Sequence, residues 1–204
     1  MEKSFSCLSA ACLLVRPGNA FETLAKLDPS PFGIFIKTAL WLGILPPIFA
    51  YFGTMNFGWR LGATTPIYLP ENILLIISLS YFIALLFGFI SAAVVSRWMA
   101  STYGARQSLG IHFAMICIVG APLTAASLIH LYPDIFINIL VLIPAVMWSM
   151  YLLYRGLPIV LHTTPERGML MASALIGYFL VAFVSLLGIT VSIWVYGIGP
   201  SLGI

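Results

Sequence analysis

Five stretches of the chain are apolar over about 20 residues each, which is the length that a helix needs to cross the hydrocarbon core of a bilayer. They lie near Phe32–Phe52, Ile73–Val95, Ile111–Ile129, Ile135–Tyr154 and Met169–Ile193. Backbone groups in lipid must be satisfied within the segment, and the period-two alternation of a barrel strand is absent. The sequence therefore predicts an all-α fold, a polytopic membrane helix bundle with five transmembrane helices.

The balance of apolar and charged residues supports this prediction. Apolar types make up 61% of the 204 residues and charged types only 7%, whereas a soluble domain carries about 25% charged residues. The nine Lys and Arg residues are spread along the chain without a consecutive run. Nucleic-acid binding is therefore excluded, and the lipid bilayer is the one partner that composition implies.

The distribution of basic residues predicts the orientation of the chain. Eight of them fall on one side of the predicted spans, namely Lys3, Arg16, Lys26, Lys37, Arg97, Arg106, Arg155 and Arg167. The other side carries Arg60 alone, in the long connection after the first span. By the positive-inside rule the N-terminus should be cytoplasmic and the C-terminus outside.

Residues 1–31 are expected to form a cytoplasmic N-terminal segment, and residues 32–204 the five-span membrane domain. Within the segment, Phe21, Leu24 and Leu27 recur at helical spacing, and Asn19 and Glu22 have the spacing of a capping box. This pattern predicts a short amphipathic helix. It is either a partner contact or a packed anchor.

No catalytic signature is present in the chain. The three histidines are scattered, none has a carboxylate at metal-ligand spacing, and neither HExxH, GxSxG nor a Gly-rich phosphate loop occurs. We therefore predict a non-enzymatic protein without catalytic residues, cofactor or metal.

Three polar residues lie within or at the edge of predicted spans. Lys37 is expected either to extend its long stem to the interface or to have a buried functional role, and His112 to form a hydrogen bond at the interface. Asn138 should bond to another helix. All six acidic residues lie outside the spans or at their edges, which disfavours a coupled pump and leaves a passive pore open.

Prolines interrupt three of the spans, at Pro46-Pro47, Pro122 and Pro144. Such kinks either shape the packing of a small bundle or open a path through it. Small residues four apart favour close packing, within the chain or between subunits. These pairs are Gly88 with Ala92, Ala121 with Ala125, and Ser173 with Gly177.

Collinear motifs give the chain a resemblance to a known family. They are Gly53-Thr54 with Gly58-Trp59 and Gly62, Trp98-Met99-Ala100 with Tyr103, Pro122-Leu123, Leu131-Tyr132-Pro133, Tyr151 and Tyr154 with Gly156 and Pro158, Glu166 with Gly168, and Trp194 with Tyr196-Gly197. In this order the chain resembles the Ypt-interacting-protein (Yip) domain family, and its bacterial YohC-like branch, from about residue 45 onward.

The resemblance implies five spans, a cytoplasmic N-terminus and location in the bacterial inner membrane, with a periplasmic C-terminus. Eukaryotic members of the family bind small GTPases and help to organise membranes. GTPase binding is not inferable here, because the region expected to mediate it matches only loosely.

Seven motif residues are the candidates for interaction or packing: Tyr151, Tyr154, Gly156, Pro158, Pro122, Gly58 and Trp59. The two tyrosines share one helix face, where their hydroxyls either bind headgroups or a partner or anchor the helix at the interface. Gly156 and Pro158 are expected to end the fourth helix.

The resulting hypothesis is a membrane scaffold or partner-binding protein that self-associates or joins another membrane protein. The alternative is a small transporter, channel or lipid-handling protein that uses the kinked spans.

Overall fold

The computed structural model describes residues 17–60, 62 and 65–195, without the side chains of residues 18–20. In this part of the chain five helices are long and apolar enough to cross a membrane: Pro31–Phe57, Glu71–Ala100, Leu109–Leu131, Ile135–Val160 and Pro165–Val195, here spans 1 to 5. They confirm the predicted five-helix membrane bundle. Lys3, Arg16, the side chain of Asn19 and Tyr196-Gly197 lie outside the described residues.

Span 1 is continuous, although two features interrupt its α-helical geometry. Its first turn, Pro31–Ile34, passes into a π-helical turn at Phe35–Ala39 before the α-helix Leu40–Phe57. Pro46 and Pro47 lie inside that last segment without ending it. Neighbouring helices and local adjustment compensate for lost backbone hydrogen bonds in a membrane helix, so these prolines do not stop the span.

Span 3 lies at the centre of the bundle. Every residue from Gly110 to Val119 is buried. Over the apolar stretch that would cross the membrane, 56% of the residues of span 3 are buried, against 6% in spans 2 and 5. A helix that is apolar all round is stable where neighbours or lipid cover every face. Span 3 is covered by protein, and the other spans keep a face for lipid.

Two glycines allow the backbone of one segment to touch the backbone of another. A Cβ atom added to Gly53 of span 1 would overlap the carbonyl oxygen of His130, at the far end of span 3. A Cβ atom added to Gly110 of span 3 would overlap the carbonyl oxygen of Pro29. Both contacts exist because glycine has no side chain.

Span 4 is longer than the sequence predicted. The helix continues through Gly156 and Pro158 to Val160, so the expectation that these two residues end it is wrong. Gly156 is a packing residue, because a Cβ atom there would lie 2.7 Å from the ring of Phe21. Pro158 falls in the last turn and packs against Gly168 of span 5.

The N-terminal helix Pro17–Ala25 docks on the bundle. Phe21 and Leu24 are fully buried, whereas Glu22, Thr23 and Lys26 are exposed. The buried residues therefore lie on one face of the helix and the exposed residues on the other. Its place on the cytoplasmic side and the domain boundary at residue 31 stay predictions.

Candidate functional site

The two ends of the bundle differ in charge and in construction. Spans 1, 3 and 5 begin at one end of the bundle, and spans 2 and 4 finish there. We call it the basic end. It carries Lys26, Lys37, Arg97, Arg106, Arg155 and Arg167. The opposite end, here called the loop end, has Arg60 as its basic residue in the described part of the chain.

A folded loop covers the loop end. Gly58 adopts a positive φ of 65° and turns the chain out of span 1. The backbone of Trp59 then exchanges two hydrogen bonds with Ile67, at 2.7 and 2.9 Å. The ring of Trp59 meets that of Trp194 edge-on at 6.1 Å. Gly58 and Trp59, both predicted candidates, therefore shape this loop and fasten it to the end of span 5.

Arg60 ties the same loop to the connection between spans 3 and 4. Its guanidinium donates to the hydroxyl of Tyr132 at 2.9 Å and lies 5.3 Å from the centre of that ring. Its backbone N–H donates to Pro133 O at 3.0 Å, and its carbonyl accepts from Ile135 N at 3.1 Å. A cation held over an aromatic ring is stabilised further by the ring's quadrupole. Arg60 is thus a clamp, and motif spacing did not single it out.

Asn138 lies beside this clamp, at the start of span 4. Its side-chain oxygen contacts the imidazole of His130 at the end of span 3, and its amide donates to the carbonyl of Asp134 at 2.7 Å. The expectation that Asn138 bonds to another helix is therefore confirmed. Asp134 caps the same helix, because its carboxylate accepts from the backbone of Phe136 and Ile137.

His112 and Ser96 form a buried polar pair near the basic end. The Ser96 hydroxyl and His112 Nδ1 are 2.8 Å apart, and the residues are 1% and 0% exposed. His112 Nε2 is buried and has no hydrogen-bond partner among the described residues. The pair joins span 2 to span 3, so His112 forms its hydrogen bond to a neighbouring helix, and its position at the membrane–water interface stays a prediction.

A serine next to a histidine has the composition of a nucleophile and its base. Catalysis also needs access for a substrate and donors for a developing charge. Ser96 and His112 are sealed among packed side chains, and the groove in this region has an almost wholly apolar lining. The pair therefore joins two helices, and its geometry offers a substrate no approach.

The two tyrosines of the motif have different surroundings. Tyr154 shares a hydrogen bond of 2.9 Å with the hydroxyl of Ser173, which joins span 4 to span 5. Tyr151 remains 45% exposed and packs against Trp148, with ring centres 5.2 Å apart. Of the two tyrosines, Tyr151 is therefore the one that remains accessible at the surface of the bundle.

The three predicted intramembrane polar residues do not come together. Lys37 is exposed on the outside of the π-helical turn, His112 is buried near the basic end, and Asn138 lies at the loop end. Pro122 is buried within span 3 and does not end the helix. These four residues therefore occupy different parts of the described bundle.

Two further links between helices escaped sequence reasoning. The hydroxyl of Tyr178 in span 5 donates to Ser91 of span 2 at 2.7 Å. Gln107 and His162 join the two connections at the basic end at 2.8 Å. The polar residue types were visible, but their partners are 87 and 55 residues away along the chain.

Comparison with known proteins places this architecture in a family. The chain is 31% identical over 185 residues to the inner membrane protein YohC of Escherichia coli K12, covering 91% of this chain and 95% of that protein. The same figures hold for YohC of Escherichia coli O6:H1 strain CFT073. No solved structure matches the chain significantly. The model of the Yip1 domain matches residues 11–186, which includes the N-terminal helix that the motifs covered only loosely. The chain therefore belongs to the Yip1 domain family.

Proposed function

We propose that this chain is a non-enzymatic scaffold of the bacterial inner membrane, which organises lipids or membrane partners around a rigid core. The observation that carries the proposal is the burial of span 3, whose residues 110–119 are covered on every side. A water-filled path needs polar side chains along a common cavity. Here a packed apolar helix occupies the position where such a path would run.

The outer surface supplies the interaction area that a scaffold requires. Spans 2 and 5 each keep a largely exposed outer face, since only 6% of their apolar membrane-crossing stretch is fully buried. Gly88 and Gly177 have no atom within 4 Å of an added Cβ, so these small residues do not mediate packing within the described bundle. Their open positions support self-association or contact with another membrane protein through spans 2 and 5.

The packed core predicts the outcome of cysteine labelling. In a chain lacking its native thiols (Cys7→Ser, Cys12→Ser, Cys117→Ala), we expect Ile116→Cys and Thr124→Cys to resist a membrane-impermeant maleimide. Both positions are at most 7% exposed within span 3. Tyr68→Cys, which lies in the loop and is 61% exposed, should label fully. The measurement is a gel shift on membranes opened at both faces.

Labelling at Ile116 or Thr124 to the level of Tyr68 would contradict the scaffold and favour the transporter or channel. A thermal unfolding curve for each variant is the control. It excludes the possibility that a newly accessible thiol reflects loss of the fold.

The basic end is proposed to face the cytoplasm. Because basic residues close to span ends stay on the cytoplasmic side, alkaline phosphatase fused after Ile204 should be active and green fluorescent protein fused there should be dark. The reverse pattern of the two reporters would overturn the orientation. It would leave the labelling prediction untouched.

A further inference from the structure

An apolar groove opens on the side of the bundle near the basic end. Its walls come from the first turns of span 1, the last turns of span 2 and the start of span 3, and its volume is about 250 Å³. The rings of Phe35 and Phe113 stack with their centres 6.4 Å apart. Phe32 and Val94 form part of its rim and are 71% and 50% exposed, so the groove faces away from the protein core.

The surroundings of the groove determine what fills it. Its lining is almost wholly apolar, and a site without polar partners does not hold ordered water. Because the walls belong to membrane spans, the groove meets the hydrocarbon of the bilayer. Hydrocarbon is the occupant that such a surface favours, since filling an apolar gap restores dispersion contacts.

Charge at the mouth of the groove selects the headgroup. Ile90 and Val94 on the span 2 wall are followed by Arg97, at helical spacings of four and three residues, so all three lie on one face. Arg97 is exposed and has no hydrogen bond or ion pair among the described residues. Trp98, which is 77% exposed, adds the amphipathic ring typical of the headgroup level. A guanidinium prefers phosphate oxygens, which it binds in a fork.

We propose that this groove binds one acyl chain of an anionic phospholipid, whose headgroup is held by Arg97. The site is independent of the scaffold role, because a transporter would bind the same lipid at the same place. It combines an apolar groove on the outside of the bundle with a cation about one helical turn further along span 2.

The headgroup half of the proposal is tested by native mass spectrometry of the full chain in mild detergent. Phosphatidylglycerol and phosphatidylcholine with identical chains are titrated separately. We expect Arg97→Gln to weaken retention of phosphatidylglycerol about fivefold, the effect of about one basic residue near a membrane surface. Retention of phosphatidylcholine should fall less, because its choline cation offsets the charge of the same phosphate group. Arg155→Gln is the matched control, because Arg155 is exposed at the same end on a span that contributes no wall.

The acyl-chain half is tested by filling the groove. Val94→Trp should reduce retention of both lipids, whereas Val181→Trp, at a 68% exposed position of span 5, should reduce neither. Ile90→Phe, on the same wall and 44% exposed, repeats the test if Val94→Trp elutes as an aggregate. Circular dichroism verifies that each variant keeps its helices.

Two results would overturn the proposal. Equal losses for Arg97→Gln and Arg155→Gln would mean that phosphatidylglycerol is attracted by the overall charge of the basic end. Unchanged retention in a folded groove-filling variant would mean that the acyl chain lies elsewhere. Either result leaves the labelling test of the scaffold intact, so the failures of the two proposals are distinguishable.

Discussion

Replacing Gly53 with alanine is expected to separate the loop ends of spans 1 and 3 and to lower the free energy of unfolding by about 3 kcal/mol, the upper part of the usual range for overpacking. The added Cβ would overlap His130 O and lie 2.9 Å from both Leu131 C and Cα. Backbone atoms cannot rotate away as a side chain can, so the helices themselves must move. Unfolding in mixed detergent micelles, followed by circular dichroism, measures the change.

Gly188→Ala is the matched control for Gly53→Ala. Gly188 lies in span 5 with no atom within 4 Å of an added Cβ, so the same substitution should leave stability unchanged or raise it by up to about 1 kcal/mol, the usual advantage of alanine over glycine in a helix. Similar losses in the two variants would show that an added methyl group destabilises the helices wherever it is placed. The contact between spans 1 and 3 would then not be the source of the loss.

The second large effect is expected at the Ser96–His112 pair. Ser96→Ala removes the partner of His112 Nδ1 while leaving the imidazole buried, and an unsatisfied buried group costs about 1–3 kcal/mol. Thermal and detergent unfolding of the variant should both shift downward. Ser192→Ala is the control, since that hydroxyl is exposed and bonds to the carbonyl of Gly188 within its own helix.

A double-mutant cycle separates the hydrogen bond from the loss of packing. The variant carrying Ser96→Ala and His112→Leu should be more stable than the sum of the single losses predicts, because neither polar partner is then left alone. In membrane proteins such coupling averages about 0.6 kcal/mol and reaches about 1.7 kcal/mol. Strict additivity would show that the two side chains are neighbours without an energetic link.

The interiors of the spans were predictable, and their ends were less so. Hydropathy identifies which residues lie in hydrocarbon, and this suffices for five helices. Span 4 nevertheless continues six residues past the predicted end at Tyr154. Gly156 and Pro158 are helix breakers by propensity, but here the glycine accommodates Phe21 and the proline falls in a terminal turn. Tertiary packing thus overrides a local preference, as it commonly does.

The polar pairs were harder to predict because they depend on how helices are rotated against each other. His112 was selected from the sequence, but Ser96 was not, since it lies sixteen residues away on the preceding span. Arg60 meets Tyr132 across 72 residues. Residue type shows that a polar group in a membrane needs a partner. The identity of that partner follows from packing, which one sequence does not reveal.

The length of span 5 links the shape of the protein to the thickness of its membrane. Its 31 residues extend roughly 46 Å as an α-helix, well beyond a hydrocarbon core of about 30 Å. Residues 180–189, in the second half of the span, are all exposed. Few contacts with the other spans therefore fix the angle of this half. A helix with such excess length tilts to match the bilayer. A thinner membrane is expected to incline the span further, and this would displace Trp194 together with the ring of Trp59 that it contacts.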